Sequence, residues 1–270
     1  MNTQHAALEL LAFYAEAGVD ATVGEAPIDR LSATQINAPA VEPEPARETE
    51  MPARAAPVAV ARSGPDGVAP PEAAVMAARE AARRAASLEE LRAMLTGFEG
   101  CALRTTAKQL VFADGNPQAR VMFVGEAPGR EEDLEGLPFV GRSGKLLDRM
   151  MTAIGLNRTT AYIANIIPWR PPGNRTPTPQ ESQICLPFTL RQIELANPDI
   201  LVCLGGPSAQ TLLGVKDGIK RTRGKWFAFH TGTREIRAIA TFHPAYLLRS
   251  PLEKRFAWRD FLAVKKVLDS

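Results

Sequence analysis

Cysteine, histidine and long apolar runs are all scarce in this chain of 270 residues, and each scarcity removes a class of function. Three cysteines, Cys101, Cys185 and Cys203, do not make a secreted disulfide framework, so a reducing, cytoplasmic compartment is expected. Of the three histidines, His5 and His230 stand alone without metal-ligand spacing and read as surface or incidental residues. No basic segment followed by an apolar core opens the chain, and no apolar run has the length of a bilayer span, so neither export nor membrane insertion is expected. Nucleotide loops are missing too. GRSGK at 141–145 has Phe139 where a phosphate loop needs glycine and Leu146 where it needs Ser or Thr. The G-x-G-x-x-G of dinucleotide folds is absent as well.

Lysine is absent from residues 1–100, which carry 8 Arg against 15 Asp or Glu, a balance of −7. Residues 101–270 carry 24 Lys or Arg against 15 acids, a balance of +9. The overall +2 conceals this basic part, which favours a polyanionic partner through phosphate neutralisation and counterion release. Residues 1–35 read as a helical segment, in which 4–17 places Leu8, Leu11, Ala12 and Ala15 on one face and Gly18 is the stop. Residues 36–71, dense in Pro and Ala, cannot bury enough surface to offset chain entropy and are expected to be a disordered linker. One domain is expected over 72–270. It opens with a helix over 72–96, started by Pro71 and Glu72 and carrying a second cap at Ser87.

Beyond Cys101, apolar strands at 120–124, 161–167, 200–205 and 236–241 alternate with helices at 144–153, 179–196, 207–214 and 258–268. That alternation means an α/β fold with a central four-stranded, mainly parallel sheet flanked by helices. Ligands in such folds bind beyond the carboxyl ends of the strands, where Glu126, Asn165, Gly205 and His243 all fall. In GEAPG the glycines allow close backbone approach, and Glu126 serves a ligand or else a cap or surface ion pair. Arg130, Glu131, Glu132 and Asp133 read as a solvated loop. Phe139, on a glycine-flanked loop, offers a ring face to a planar ligand. Asn165 interrupts an apolar strand and needs a partner, either a neighbouring loop or a ligand edge. The stiff loop WRPPGNRTPTP carries Arg170 and Arg175, which line a polyanion groove or simply wrap the fold. His243 is restricted to extended backbone by Pro244. After it, Leu247 and Leu248 form an exposed wedge for a base stack with Arg249 on phosphate, or else YLL is a helical turn packed on the core, the reading preferred for Tyr246.

Taken in order, GEAPG followed by EED, LPFVGRSG, YIANII with WRPPGNRTPTP, LGG and TFHPAYLLR resemble the uracil-DNA glycosylase superfamily, specifically its family-four bacterial and archaeal type, over roughly residues 98–268. The resemblance implies a three-layer α/β fold and hydrolysis of the N-glycosidic bond of uracil in DNA, the first step of base excision repair. It also implies roles: Glu126 orients or activates the water, and His243 donates to the uracil O2, on which negative charge develops. Asn165 reads the uracil edge, Phe139 stacks on the base, and Gly125 and Ala127 complete the base-binding turn. Ala127 stands where the best-known uracil glycosylases have aspartate, which leaves Glu126 the only acid directly in the turn. Arg142, Arg170, Arg175, Leu247, Leu248 and Arg249 would contact DNA, single- and double-stranded.

One departure concerns the cofactor. The family carries a four-cysteine iron-sulfur cluster, but only Cys101 and Cys185 match its ligand positions, with Phe98 and Ala164 at the others. No cluster and no other cofactor or metal is therefore expected, and Cys203 reads as core. Cross-linking relatives carry a histidine after the Asn strand; none lies between Asn165 and Thr178, so covalent trapping of DNA is not expected. A monomeric, nucleoid-associated enzyme is expected, with residues 1–70 available to a protein partner. The alternatives are a non-catalytic damaged-DNA binding module, a polymerase-associated adaptor, and a glycosylase with broader deaminated-base specificity.

Overall fold

The computed structural model describes residues 71–270, so the expected N-terminal helix and linker lie outside the described residues. The helix expected over 72–96 is two helices, α1 (Pro71–Arg84) and α2 (Leu88–Gly97). The Ser87 hydroxyl accepts from the Glu90 amide at 3.2 Å, and the Glu90 carboxylate accepts from the Ala86 amide at 2.7 Å. This reciprocal cap starts a helix and does not continue one. Arg191 donates to the Ala85 carbonyl freed at the break, at 3.0 and 2.8 Å.

There follow α3 (Leu103–Thr106), β1 (Asp114–Gly115), β2 (Val121–Gly125), α4 (Arg130–Glu135), α5 (Arg142–Thr152) and β3 (Tyr162–Asn165). Next come α6 (Pro179–Ala196), β4 (Ile200–Leu204), α7 (Gly206–Leu213), α8 (Ile219–Thr222), β5 (Trp226–His230) and β6 (Glu235–Thr241). The chain closes with α9 (Pro244–Arg249), a 3-10 turn (Pro251–Glu253) and α10 (Lys254–Leu268), which starts a turn earlier than expected. Thr178 and Glu181 cap α6 reciprocally, with Pro179 as its first residue.

The sheet has six strands, not four, in the order β1-β3-β2-β4-β6-β5. The central four are parallel and are the ones foreseen; β1 and β5 add antiparallel edges. β1 is 2 residues long and β5 buries only Phe229, so neither has the uniformly apolar signature of a strand covered on both faces. Period-two alternation divides the core into two layers around the sheet. Met122, Val124, Leu201 and Cys203 pack towards Leu91, Ile184 and Phe188 on one side. Val121, Phe123, Ile200 and Val202 pack towards Leu147, Met151, Phe261 and Val264 on the other. Full burial of such side chains is worth about 1.5–3 kcal/mol each, which sets the sheet as a firm base for the loops at its carboxyl edge. No described helix is long and apolar enough to cross a membrane.

Candidate functional site

Because the four central strands run parallel, their carboxyl ends open on one edge, around a cleft of about 900 Å³. Glu126 after β2, Asn165 at the end of β3, Gly205 after β4 and His243 after β6 all line it, as do Ala127 and Phe139. The turn after β2 that carries Glu126 and the turn after β6 that carries His243 therefore meet at one cleft.

Parallel pairing sets Gly125 opposite Asn165. A Cβ on Gly125 would lie 2.3 Å from the Asn165 side-chain oxygen and 2.6 Å from the Phe139 ring, so only glycine fits this corner. The Asn165 side chain is buried, and its Oδ1 has no hydrogen-bond partner among the described residues. An unpaired buried carbonyl is costly unless a ligand donor completes it. Phe139 is buried with a left-handed backbone, φ 56°, and its ring centroid stands 5.5 Å from that of His243. A non-glycine residue held there costs on the order of 1–3 kcal/mol, and its surroundings enforce it. Arg158 donates to the carbonyls of Phe139 and Pro138 while pairing with Asp114 and Asp148. Gly144 is the position where a Cβ would strike the Phe139 carbonyl at 1.6 Å.

His243 is the N-cap of α9, and its Nδ1 accepts from the Ala245 amide at 3.1 Å. That bond puts the proton on Nε2. Burial, seconded by the Arg249 charge, holds the imidazole down at about 4, so near neutral pH it is an uncharged donor. Glu126 is half-buried, and burial raises its carboxyl above the usual 4.5. Neither a cap nor an ion pair occupies Glu126 among the described residues, which leaves it to the cleft.

The segment 130–133 is not a solvated loop. It begins α4, and Glu132 and Asp133 are buried. Glu132 accepts from the amides of Gly129, Val140 and Gly141 at 3.0, 3.1 and 3.0 Å, joining the Glu126 turn to the loop that carries Phe139. Asp133 accepts from the amides of Lys108 and Gln109. These acids are buried because each is saturated with backbone donors, a pattern that spacing alone does not reveal. Glu132→Ala leaves buried amides unpaired, a cost of about 2–3 kcal/mol, and is expected to lower Tm by roughly 5–10 °C in a thermal melt; an unchanged Tm would show that water replaces the carboxylate.

On the outer rim the expectations divide. Arg142 and Arg249 are exposed on the cleft with no ion pair among the described residues. Leu248 lines the cleft beside them but is half-buried, and Leu247 is fully buried against Phe242 and Ala257, so neither is the exposed leucine that the sequence suggested. The reason is the short helix α9, whose inward face closes a small core, as foreseen for Tyr246. Arg175 lines the cleft but forks Glu181 at 2.8 and 2.6 Å. Arg170 is turned to the Asn174 side chain at 2.6 Å and lies 3.9 Å from buried Asp133, which makes it a loop brace. Ser143 and Asn174 are among the cleft residues that the sequence reading missed. Asn174 has φ 56°, and its place after Pro-Pro-Gly is a turn signal that marks such a conformation.

The cysteines resolve into a pair and a core residue. Cys185 donates to Cys101 across 3.9 Å, and this bond is the main influence lowering the Cys101 thiol. Phe98 packs edge-on against Phe188 with centroids 5.0 Å apart, and Ala164 is fully buried in the sheet. Two thiols with a phenyl ring and a methyl group are not the donor set of a four-cysteine cluster, so these residues do not fit one. No group of three or more His, Cys, Asp or Glu side chains suited to a metal occurs among the described residues. Cys203 is core, its thiol pushed up to about 12 by burial.

Similarity to known proteins shows the family. Residues 112–262 match the family described as the uracil DNA glycosylase superfamily. The chain is 41% identical over 179 residues to the type-4 uracil-DNA glycosylase of Archaeoglobus fulgidus, across 65% of this chain and 90% of that one. It is 44% identical over 151 residues to the type-4 enzyme of Thermotoga maritima, across 56% of this chain and 77% of that one. It is also 28% identical over 156 residues to a DNA polymerase of Bacillus phage SP01, of which it covers 16%.

Proposed function

Since this chain belongs to the uracil-DNA glycosylase superfamily and is most like its type-4 members among the relatives named above, we propose that it hydrolyses the N-glycosidic bond of uracil in single- and double-stranded DNA. The observation that carries this reading is the unpartnered Asn165 carbonyl, set beside the Phe139 ring and the His243 imidazole in one cleft. A flipped uracil stacks on Phe139. Its N3–H satisfies the Asn165 carbonyl, and its O4 accepts from the same amide. Cytosine presents a ring acceptor and an amino donor there, so its edge meets the amide with like groups opposed. Flipping costs a few kcal/mol, least in single strands and mispairs.

As the C1′–N1 bond breaks, its electron pair passes to uracil, and the charge that builds on O2 meets the Nε2–H of neutral His243. No proton need be transferred to the base. The sugar becomes oxocarbenium-like beside the Glu126 carboxylate, which holds a water through its lone pairs and takes a proton as the new C1′–O bond forms.

The ionisations supply a test. Glu126 must be a carboxylate, and its raised pKa means that activity falls as pH drops through a midpoint above 4.5. His243 stays neutral down to about 4, so it does not set this limb. A pH profile of kcat on single-stranded uracil DNA is expected to show the acid limb in the native chain. In Glu126→Gln the limb should disappear, with kcat lower by about 10²–10⁴-fold. Normal turnover by Glu126→Gln would remove this residue from the mechanism.

A further inference from the structure

Arg158 lies outside the lining of the cleft, in the turn between α5 and β3, yet its guanidinium reaches the back of the loop that carries Phe139. One nitrogen donates to the Phe139 carbonyl and another to the Pro138 carbonyl at 3.1 Å. No backbone amide among the described residues bonds either carbonyl, so the guanidinium is the donor that satisfies them. The same side chain pairs with Asp114 of β1 and, at 2.9 Å, with Asp148 of α5. Asp114 is itself fixed. Its other oxygen accepts from the Gly115 amide at 2.8 Å, and strand pairing sets it opposite Ile163, two residues before Asn165 on β3. The turn that presents Arg158 is held as well: the Asn157 amide donates to the Thr160 hydroxyl at 2.9 Å, and the Thr159 amide to the Asn157 side chain at 2.8 Å. A planar fork can serve two carbonyls and two carboxylates at once, whereas a compact ammonium cannot. Through it the loop that bears Phe139 is tied to the strand that ends in Asn165. Phe139 needs such a tie, because φ 56° is a conformation that a non-glycine residue leaves unless its surroundings impose it.

Resting on the glycosylase reading, we propose that Arg158 is a positioning residue for base excision, which from behind the loop keeps the Phe139 ring beside Asn165 and His243 for the incoming uracil to stack on. It touches no reacting atom and acts through Phe139 alone. The test uses the full chain with Arg158→Met, which keeps the apolar stem and removes the donors. Asp114 and Asp148, 26% and 42% exposed, stay within reach of water and are not sealed in as bare charges. On single-stranded uracil DNA the kcat/KM of this variant is expected to fall about tenfold, within the range that one base–aromatic stack is worth. Its Kd for the same strand carrying an abasic analogue, which offers no base to stack, is expected to stay within about twofold of native. A loss shared equally by both measurements, or none on uracil, overturns the role. In a Phe139→Ala chain, where there is no ring to place, adding Arg158→Met is expected to change the single-turnover rate by less than about twofold; a further loss of about tenfold overturns the route through Phe139. Should Arg158→Met not fold, Arg158→Lys keeps a charge between the two acids but cannot reach both carbonyls as well. The same loss on uracil with unchanged abasic binding is then expected, and native turnover by Arg158→Lys overturns the role of the fork. A native chain that releases no uracil even from single strands ends the glycosylase reading itself, an outcome distinct from a native chain that turns over while Arg158→Met matches it.

Discussion

His243→Ala is expected to lower kcat on single-stranded uracil DNA by about 10²–10³-fold with a much smaller change in KM, the loss seen when one preorganised donor to a developing anion is removed. The expectation follows from the bond between Nδ1 and the Ala245 amide, which leaves Nε2–H as the donor, and from burial, which keeps the ring neutral. A neutral donor placed in advance favours the charged leaving group more than the uncharged substrate. The same substitution has a second readout in stability. With a folded pKa of about 4 against 6.5 when free, the imidazole takes up its proton more readily in the unfolded chain. Native stability due to the neutral ring is therefore full above pH 6.5 and is lost as pH falls towards 4. His243→Ala should weaken the fold less steeply over that interval than the native chain, as followed by denaturant midpoints. The variant also lacks the α9 cap, a separate cost of about 1 kcal/mol that does not depend on this titration.

Gly125→Ala is expected to abolish most activity on every uracil substrate, by about 10²-fold or more. The added methyl group would fall 2.3 Å from the Asn165 oxygen and 2.6 Å from the Phe139 ring, so both side chains must move. Neither has room to move freely. Asn165 ends a paired strand, and the Phe139 backbone is held by Arg158 and by the close approach of Gly144. Single-turnover rates on single-stranded uracil DNA, with folding checked by circular dichroism, measure the effect. Near-native rates would show that the corner between Gly125, Asn165 and Phe139 is not where the base sits.

Much of this arrangement is legible in the sequence because buried parallel strands are uniformly apolar and ligands gather at their carboxyl ends. That logic locates Glu126, Asn165, Gly205 and His243 correctly around one cleft. It fails where burial depends on partners distant in the chain. Glu132 and Asp133 look like surface acids in an EED run, yet amides of residues 108, 109, 129, 140 and 141 converge on them and make burial possible. Arg175 and Arg170 look like free cations on a loop, yet one is met by Glu181 and the other by Asn174. Leu247 and Leu248 are adjacent in sequence, and only the phase of the α9 turn separates core from rim. The edge strands escape the pattern because one is too short and the other too exposed to carry a two-faced apolar signature.

The cysteine positions carry a related lesson. Cys101 and Cys185 are brought within 3.9 Å, yet the neighbouring Phe98 ring packs on Phe188 as an ordinary core contact. The packing joins the 98–107 segment to α6 through apolar contact, while the cleft at the strand ends does not include these side chains.

The most direct test of the account is base release. The full-length chain, incubated with a single-stranded oligonucleotide containing one uracil, is predicted to yield free uracil and an abasic site in equal amounts by mass spectrometry. An oligonucleotide that is bound by the protein but keeps its uracil after prolonged incubation would contradict the claim that Glu126, Asn165, Phe139 and His243 form a hydrolytic site.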